Sequence, residues 1–429
     1  MSIFKAYDIR GMYPEDINEG IAYELGIAFA GYLKNDFVIG RDTRISSPPL
    51  LKALSDGIMD SGFDVTDIGI VDTPALYFAT AFYGFKAGVM ITASHNPKGY
   101  NGFKICEEDA IPVGGDSGLK DIEKLFGRGK KSSSRGKLST RDITLDYLAH
   151  LIKFYKGGEK RVVIDCSNGS TSRMIGDLMK KTGCETIIIN GEMDGNFPAH
   201  EPNPLNEANL KQLRSEVLKA GADFGVCFDG DGDRLSVINM DGSIVRNDFL
   251  TAIMARELLK DNRNETVLYD LRSSRVVREE IERAGGKPLM CRVGHAFIKK
   301  QMREINGLFA GELSGHYYYR ENFFADSAFI TFLKLVDAKS IDTKGLERYF
   351  QSGEINVKVE DRGRAITNVE TRFRERGKLI HLDGISVESG NFWFNIRPSN
   401  TEPLVRINVE AESREVLDRI TEEIMGCIK

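Results

Sequence analysis

No uninterrupted apolar run in the 429-residue chain approaches the length of a membrane span, which excludes a membrane-spanning helix. The opening residues, MSIFKAYDIRG, carry charges where a secretory signal needs its apolar core. A basic excess is missing as well. The 58 Lys and Arg stand against 63 Asp and Glu, for a net charge of −5. That excludes a general nucleic-acid surface, while a small anion could still be held by a local cluster of arginine and lysine. No CxxC pair occurs among the six cysteines (Cys106, Cys166, Cys184, Cys227, Cys291, Cys427), which read as reduced, mostly buried thiols of a cytoplasmic protein. Compositional bias toward disorder or fibres is also absent. What remains is a globular chain too long for one ordinary core, hence several domains.

The chain begins with FKAYDIRG, read as extended backbone ending in a glycine turn at Gly11. A helix is predicted where Ile21, Leu25, Ala28, Phe29 and Tyr32 share one face, followed by a strand from Phe37 to Gly40. The next helix is expected over about Leu50 to Ser61, stopped by Gly62. A strand in DVTDIGIV, a helix in TPALYFATAFY and a buried strand from Ala87 to Ile91 complete the first unit. GRGKKSSSRGK, residues 127–137, has no apolar periodicity and reads as a surface linker or flap.

The pattern then recurs. RVVIDCSNGS and TVLYDLRSSR have the form of DFVIGRDTR, an apolar strand ending in a polar loop of small residues. Each is followed by a helix and a later strand with its own special loop: AGVMITASHNP, FGVCFDGDGDR and GLFAGELSGH. This predicts the α/β class, with three related αβ domains, mixed sheets between helices, and loops delivered to one central cleft. From about Ile355 short strands alternate with turns and close on a helix carrying Val416, Leu417, Ile420 and Ile424 on one face, a small C-terminal α+β domain. The boundaries fall at 1–140, 141–246, 247–353 and 354–429.

Four loops carry chemistry. In TASHNPKGYNGFK, Ser94 stands at a strand end with His95 beside it and Lys104 ten positions on, the makings of a positioned nucleophile; alone, the serine could equally serve the turn. In DGDGDR, glycines let Asp229, Asp231 and Asp233 converge, and three hard carboxylates suit Mg²⁺. A Ca²⁺ loop of the EF-hand type would need Glu where Met240 stands, and a solvated acidic turn fits poorly between apolar strands. In GELSGH, Glu312 and Ser314 would point the same way from extended backbone and could bond sugar hydroxyls, with His316 handling a proton; by itself the motif is a structural turn. In RPSNTEP, Arg397 offers a fork for phosphate and Ser399, Asn400 and Thr401 add neutral donors, although a polar hairpin turn reads the same way.

Taken in order, these loops, together with FKAYDIRG, GRDTRISSP and FPAHEPNP, resemble the α-D-phosphohexomutase superfamily over essentially the whole chain, and the phosphomannomutase/phosphoglucomutase group within it. The resemblance implies a four-domain molecule around one deep cleft. Ser94 would carry the phosphoryl group as phosphoserine, and Asp229, Asp231 and Asp233 would hold Mg²⁺ with an oxygen from Ser94. Arg10, Lys104 and His316 would serve proton transfer and charge stabilisation. Glu312, Ser314, His295, Tyr7 and Arg234 would face substrate, and Arg397, Ser399, Asn400 and Thr401 would cradle its non-reacting phosphate. Hexose 1-phosphate and 6-phosphate (mannose, glucose or both) would interconvert through a 1,6-bisphosphate, with glucose or mannose 1,6-bisphosphate as activator. The protein would act as a monomer or small homo-oligomer. The alternatives are a phosphoglucosamine mutase, a phosphatase, or a non-catalytic sugar-phosphate binder. Arg272 departs from the resemblance, since many relatives carry lysine there.

Overall fold

The computed structural model describes residues 3–5, 7–399 and 403–428, apart from the side chain of Asp116. Its first three sheets repeat one strand order. A first strand lies centrally (Phe37–Arg41, Arg161–Asp165, Thr266–Asp270). It is flanked in parallel by a second (Val65–Ile70, Glu185–Ile189, Lys287–Cys291) and a third (Ala87–Ile91, Phe224–Phe228, Phe309–Gly311). The third strand returns antiparallel into a fourth (Tyr100–Glu107, Leu235–Asn239, Tyr317–Tyr319). The three special loops are the same connection in each unit, from third strand to fourth. The chain is α/β with mixed sheets, as expected, and the last unit is a five-stranded antiparallel sheet over residues 350–411 with helices Arg362–Phe373 and Arg414–Ile428.

Local sequence explains the elements. Helix Glu19–Leu33 starts where the Asn18 side chain accepts the Ile21 N–H at 3.1 Å. Helix Ser47–Asp60 begins three residues earlier than its apolar pattern, because Pro48 and Pro49 are well suited to a first turn. It ends at the expected place, with Gly62 at φ 95°. These two helices press backbone to backbone at Gly26 and Gly57: a Cβ on Gly57 would stand 2.1 Å from the Tyr23 carbonyl oxygen. Gly11 corrects its expectation. It lies inside the strand Ile9–Met12, paired with Asn101, and the chain turns after it. Residues 127–137 contain no regular element, and the following Leu138–Thr140 adds a parallel edge strand beside Val65–Ile70.

One continuous apolar cluster runs from Val38 and Phe78 of the first unit through Val162 and Phe228 to Val267 and Phe329, tying the three αβ units together. The last unit has a separate core around Phe373, Phe394 and Ile420. It docks through polar contacts. The Arg275 backbone N–H donates to Glu410 Oε1 at 3.0 Å, and its guanidinium donates to the carbonyls of Ser389, Gly390 and Phe392. Trp393 Nε1 donates to the same Glu410 oxygen at 2.8 Å. Among the described residues no helix is long and apolar enough to cross a membrane.

Candidate active site

Each first strand finishes on, or one residue before, an aspartate whose Oδ1 accepts the N–H two residues on. Asp42 accepts from Arg44 at 3.0 Å, Asp165 from Ser167 at 2.9 Å, and Asp270 from Arg272 at 2.9 Å. These turns bend the following segment beneath the special loop of the same unit. In the first unit Arg44, wholly buried, pairs with Asp42 and donates to the carbonyls of Ser94, Asn96, Pro97 and Tyr100 at 2.7–3.1 Å. In the second, Ser167 Oγ donates to the Phe228 carbonyl at 2.6 Å and the Ser170 N–H to that of Gly230 at 3.0 Å. In the third, Asp270 Oδ2 accepts the Leu313 N–H at 3.2 Å. One device, used three times, props up the three loops.

The loops of the first two units meet at Ser94, and the third joins them through His316, 3.3 Å from Asp233. Ser94 is fully buried at φ 50°, a left-handed conformation that costs energy for a non-glycine residue and points to a functional constraint. Its Oγ donates to Asp229 Oδ2 at 2.8 Å and lies 3.3 Å from His95 Nδ1. The three aspartates offer ligand atoms within 4.8 Å of one another. Lys104 Nζ donates to Asp231 Oδ2 at 2.7 Å and to Asp233 Oδ2. Burial works against the lysine's charge, but Asp231, Asp233 and Asp229 outweigh it and raise its pKa. Asp229 itself is pushed well up, by burial and then by the charges of Asp233 and Asp231, which are the conditions a divalent cation would relieve. Asp231 Oδ1 is buried with no hydrogen-bond partner, and Asp233 Oδ1 is paired with His316 Nε2 at 3.3 Å. This donor set fits a hard cation such as Mg²⁺.

Thr73 of the first unit braces the loop of three aspartates from outside, its hydroxyl donating to Asp231 Oδ2 at 2.6 Å and its N–H to the Asp231 carbonyl at 2.7 Å. Arg10 donates to Asn96 Oδ1 at 2.8 Å and pairs with Asp8, so it flanks the serine loop. Arg234 Nε lies 3.2 Å from His316 Nε2.

Around His316 the structure corrects the extended reading of GELSGH. Residues 312–315 form a tight turn closed by the Glu312 N–H on the His316 carbonyl at 2.9 Å. Glu312 and Ser314 still converge, but on the imidazole: Ser314 Oγ is 2.9 Å and Glu312 Oε2 3.3 Å from Nδ1. Burial opposes protonation of His316, yet Asp233 and Glu312 raise its pKa to about 9. His295 starts helix His295–Ile305 with its ring 6.5 Å from that of His316, and burial keeps it neutral. Tyr7 packs edge-on against His295 and donates to the Val293 carbonyl at 3.1 Å. Its pKa is raised by burial first, and then by Asp383 of the last unit and Glu312 of the third.

Arg272 makes a fork on Asp270, with Nε 3.0 Å from each carboxylate oxygen, and reaches to 3.7 Å from Glu312 Oε1. A lysine could not make that fork. In the last unit Arg397 is mostly buried and pairs with Glu354 at 3.0 Å, while its Nε is buried with no hydrogen-bond partner. The Ser399 N–H is bonded to the Leu404 carbonyl at 2.9 Å. Asn400 and Thr401 lie outside the described residues. The sequence reading missed Arg44, Thr73 and Glu354. Thr73 alone had a local signal, the Asp-Thr-Pro run that opens a helix.

Comparison with known proteins agrees in every unit. Residues 1–133, 145–242 and 246–353 match phosphoglucomutase/phosphomannomutase α/β/α domains I, II and III, and residues 354–426 match the C-terminal domain of the same family. The chain is 38% identical to a phosphomannomutase of Methanocaldococcus jannaschii, over 100% of this chain and 98% of that protein. It is 36% identical to a phosphomannomutase/phosphoglucomutase of Pseudomonas putida, over 98% and 94% of the two chains. A crystal structure of a phosphoglucomutase/phosphomannomutase family protein from Burkholderia thailandensis superposes with a TM-score of 0.92 at 30% identity, covering 100% of this chain and 97% of that one. An N-acetylphosphoglucosamine mutase of Aspergillus fumigatus, solved with GlcNAc-6P and magnesium, shares the fold at a TM-score of 0.64 and 13% identity, covering 100% and 96%. The chain belongs to the phosphoglucomutase/phosphomannomutase family of phosphohexose mutases.

Proposed function

We propose that this phosphohexose mutase carries its phosphoryl group on Ser94 and interconverts the 1- and 6-phosphates of mannose, glucose or both. The observation that carries the reading is the Ser94 Oγ hydrogen bond to Asp229, 2.8 Å long, inside a cage of three carboxylates and one lysine. The four units, divided at 1–140, 141–246, 247–353 and 354–429, would supply the serine, the cation site, the sugar contacts and the distal phosphate seat. Mg²⁺ would be held by Asp229, Asp231, Asp233 and an oxygen at Ser94. When bound it supplies charge neutralisation at the transferring phosphoryl group.

The chain's own residues account for the rest. A sugar hydroxyl attacks the phosphorus, the bond from Ser94 Oγ to phosphorus breaks, and a 1,6-bisphosphate forms. After the intermediate turns over, Ser94 Oγ attacks the other phosphorus and the opposite sugar oxygen departs. His316, raised to about 9, is suited to give a proton to that departing oxygen and to recover it when a hydroxyl attacks. On the serine side, Asp229 and His95 are the groups within reach of the Oγ proton. Lys104, fixed as an ammonium, offsets phosphoryl charge. Arg10 and Arg234 add positive charge at the rim of the same centre. Glu312 and Ser314 orient sugar hydroxyls, with His295 and Tyr7 lining the approach. Arg397, Ser399, Asn400 and Thr401 anchor the phosphate that is not reacting, and the unpartnered Arg397 Nε supports that role. A cytoplasmic setting belongs to the same proposal, supported by six free cysteines.

The test is a coupled mutase assay with Mg²⁺ and a trace of glucose 1,6-bisphosphate. It compares mannose 1-phosphate, glucose 1-phosphate and glucosamine 1-phosphate, with Ser94→Ala as control. Turnover of mannose or glucose phosphate should fall to background in the variant. Turnover of the amino sugar alone would overturn the substrate assignment, free phosphate without isomerised sugar would mean a phosphatase, and a fully active Ser94→Ala would remove the phosphoserine.

A further inference from the structure

We propose that a second ligand site, for a small hydroxylated oxyanion acting as an effector, lies between the first and second units, behind the loop of three aspartates. A cavity of about 340 Å³ opens there, among the strand Val65–Ile70, residues 140–144, and Arg173 of the second unit. That is within the size range of small-ligand pockets. Ser94, Lys104 and the three aspartates do not line it.

Three arginines do, and each is loosely engaged. Arg41 comes no closer than 3.5 Å to Asp67, and its buried Nε has no hydrogen-bond partner. Arg173 reaches the Thr144 hydroxyl at 3.4 Å. Arg141 lies over the Tyr83 ring, 3.7 Å from its centroid. Each acid of the wall has one oxygen engaged by its own segment. Asp67 Oδ1 accepts the Gly69 N–H at 2.7 Å, and Asp142 Oδ1 accepts both the N–H and the hydroxyl of Thr144 at 2.9 and 2.5 Å. The third acid, Asp72, is wholly buried. Its Oδ1 takes the Ala75 N–H and the Tyr147 hydroxyl, while Oδ2 has no partner. Buried polar groups are as a rule satisfied, and here one donor and one acceptor are left over at the same cavity. Underused guanidinium forks suit a phosphate or carboxylate. The leftover carboxylate oxygen asks for a donor, which a ligand hydroxyl supplies.

The position gives such a ligand a mechanical route to the catalytic centre. Asp72 caps helix Thr73–Phe82, and Thr73 is the residue that grips Asp231 through both its hydroxyl and its N–H. A molecule touching Asp72 therefore acts one residue away from the brace on the loop of three aspartates.

The binding arm titrates glycerol 3-phosphate into the full chain by calorimetry, with inorganic phosphate in a parallel run. It uses an Arg397→Ala background to weaken anion binding in the catalytic cleft, with and without the pair Arg141→Ala and Arg173→Ala. Both arginines are exposed, so thermal melting should not move. Saturable binding is expected, tighter for glycerol 3-phosphate than for phosphate, and weakened at least tenfold by the arginine pair. Affinity indifferent to the arginines, or no saturable binding, overturns the site; equal affinity for the two probes overturns the hydroxyl contact. The turnover arm rests on the mutase reading. At saturating hexose phosphate, glycerol 3-phosphate should change kcat at least twofold in the wild-type chain and leave the Arg141→Ala/Arg173→Ala enzyme unaffected. Binding with no change in kcat overturns the effector role. A folded but inactive wild-type enzyme would count against the mutase reading, while the binding arm still decides this one.

Discussion

Arg44 holds the loop of Ser94 in place from beneath, apart from the groups proposed to react. Its guanidinium spends its donors on Asp42 and four carbonyls of the serine loop, so Ser94 keeps a left-handed backbone that points its Oγ at Asp229. Arg44→Lys keeps the charge but loses the fork, and a nucleophile displaced by about 1 Å can cost on the order of 10²-fold in rate. The expected result is a kcat lower by about that factor with substrate KM nearly unchanged, measured in the coupled assay. Arg44→Met leaves Asp42 buried without its counterion and should cost about 3–5 kcal/mol of stability, read from the urea midpoint. The polar character of GRDTR was plain in the sequence, but the role of its second arginine was not. The four carbonyls it bonds lie fifty or more positions away and show no side-chain signature. That Ser94, the aspartate trio and His316 belong to one site was legible, because residue type and spacing mark each of their loops.

Among the elements, the two helices of the first unit make a clean case of packing against propensity. Alanine is the better helix former, by roughly 0.5–1 kcal/mol over glycine. A Cβ at position 57 would nonetheless stand 2.1 Å from a backbone oxygen, a neighbour that cannot rotate away. Gly57→Ala should therefore destabilise by about 1–3 kcal/mol, and a raised urea midpoint would show that the helices can part. Helix Thr144–Leu151 offers a pH test. His150 is buried against Phe78, Phe154 and Phe323, with Nε2 2.8 Å from Asn322 Oδ1, and burial lowers its pKa from 6.5. The unfolded chain takes up a proton that the folded chain refuses. Stability is thus full above about pH 6.5 and falls as pH drops toward the lowered value. His150→Gln keeps a donor for Asn322 and should lose less stability on acidification, followed by urea midpoints at pH 7.5 and pH 5. Recurrence of apolar strands with polar ends made the three units readable from sequence. The antiparallel return of each fourth strand was not readable, because it depends on pairing between segments whose apolar runs look alike in either direction. GELSGH misled for a related reason: alternation of side chains presumes extended backbone, and a glycine at φ 88° turned the chain instead.

Across the whole molecule, one apolar cluster joins the first three units, while the fourth has its own core and is joined by polar contacts at Arg275 and Glu410. A joint of that kind can open and close without exposing core surface. Arg275→Ala removes the bonds to three carbonyls of the last unit and should raise KM for hexose phosphate more than it lowers kcat, since the phosphate seat proposed at Arg397 is then poorly presented. Equal KM in variant and wild type would mean that the joint is held elsewhere. The chain's single tryptophan, Trp393, donates to the very carboxylate that Arg275 grips. Tryptophan emission from the unlabelled protein therefore comes from one indole at this joint, and its wavelength and quenching report the state of one contact. Rapid mixing with a sugar phosphate, followed in that optical channel, would time the closing of the enzyme without any dye attached.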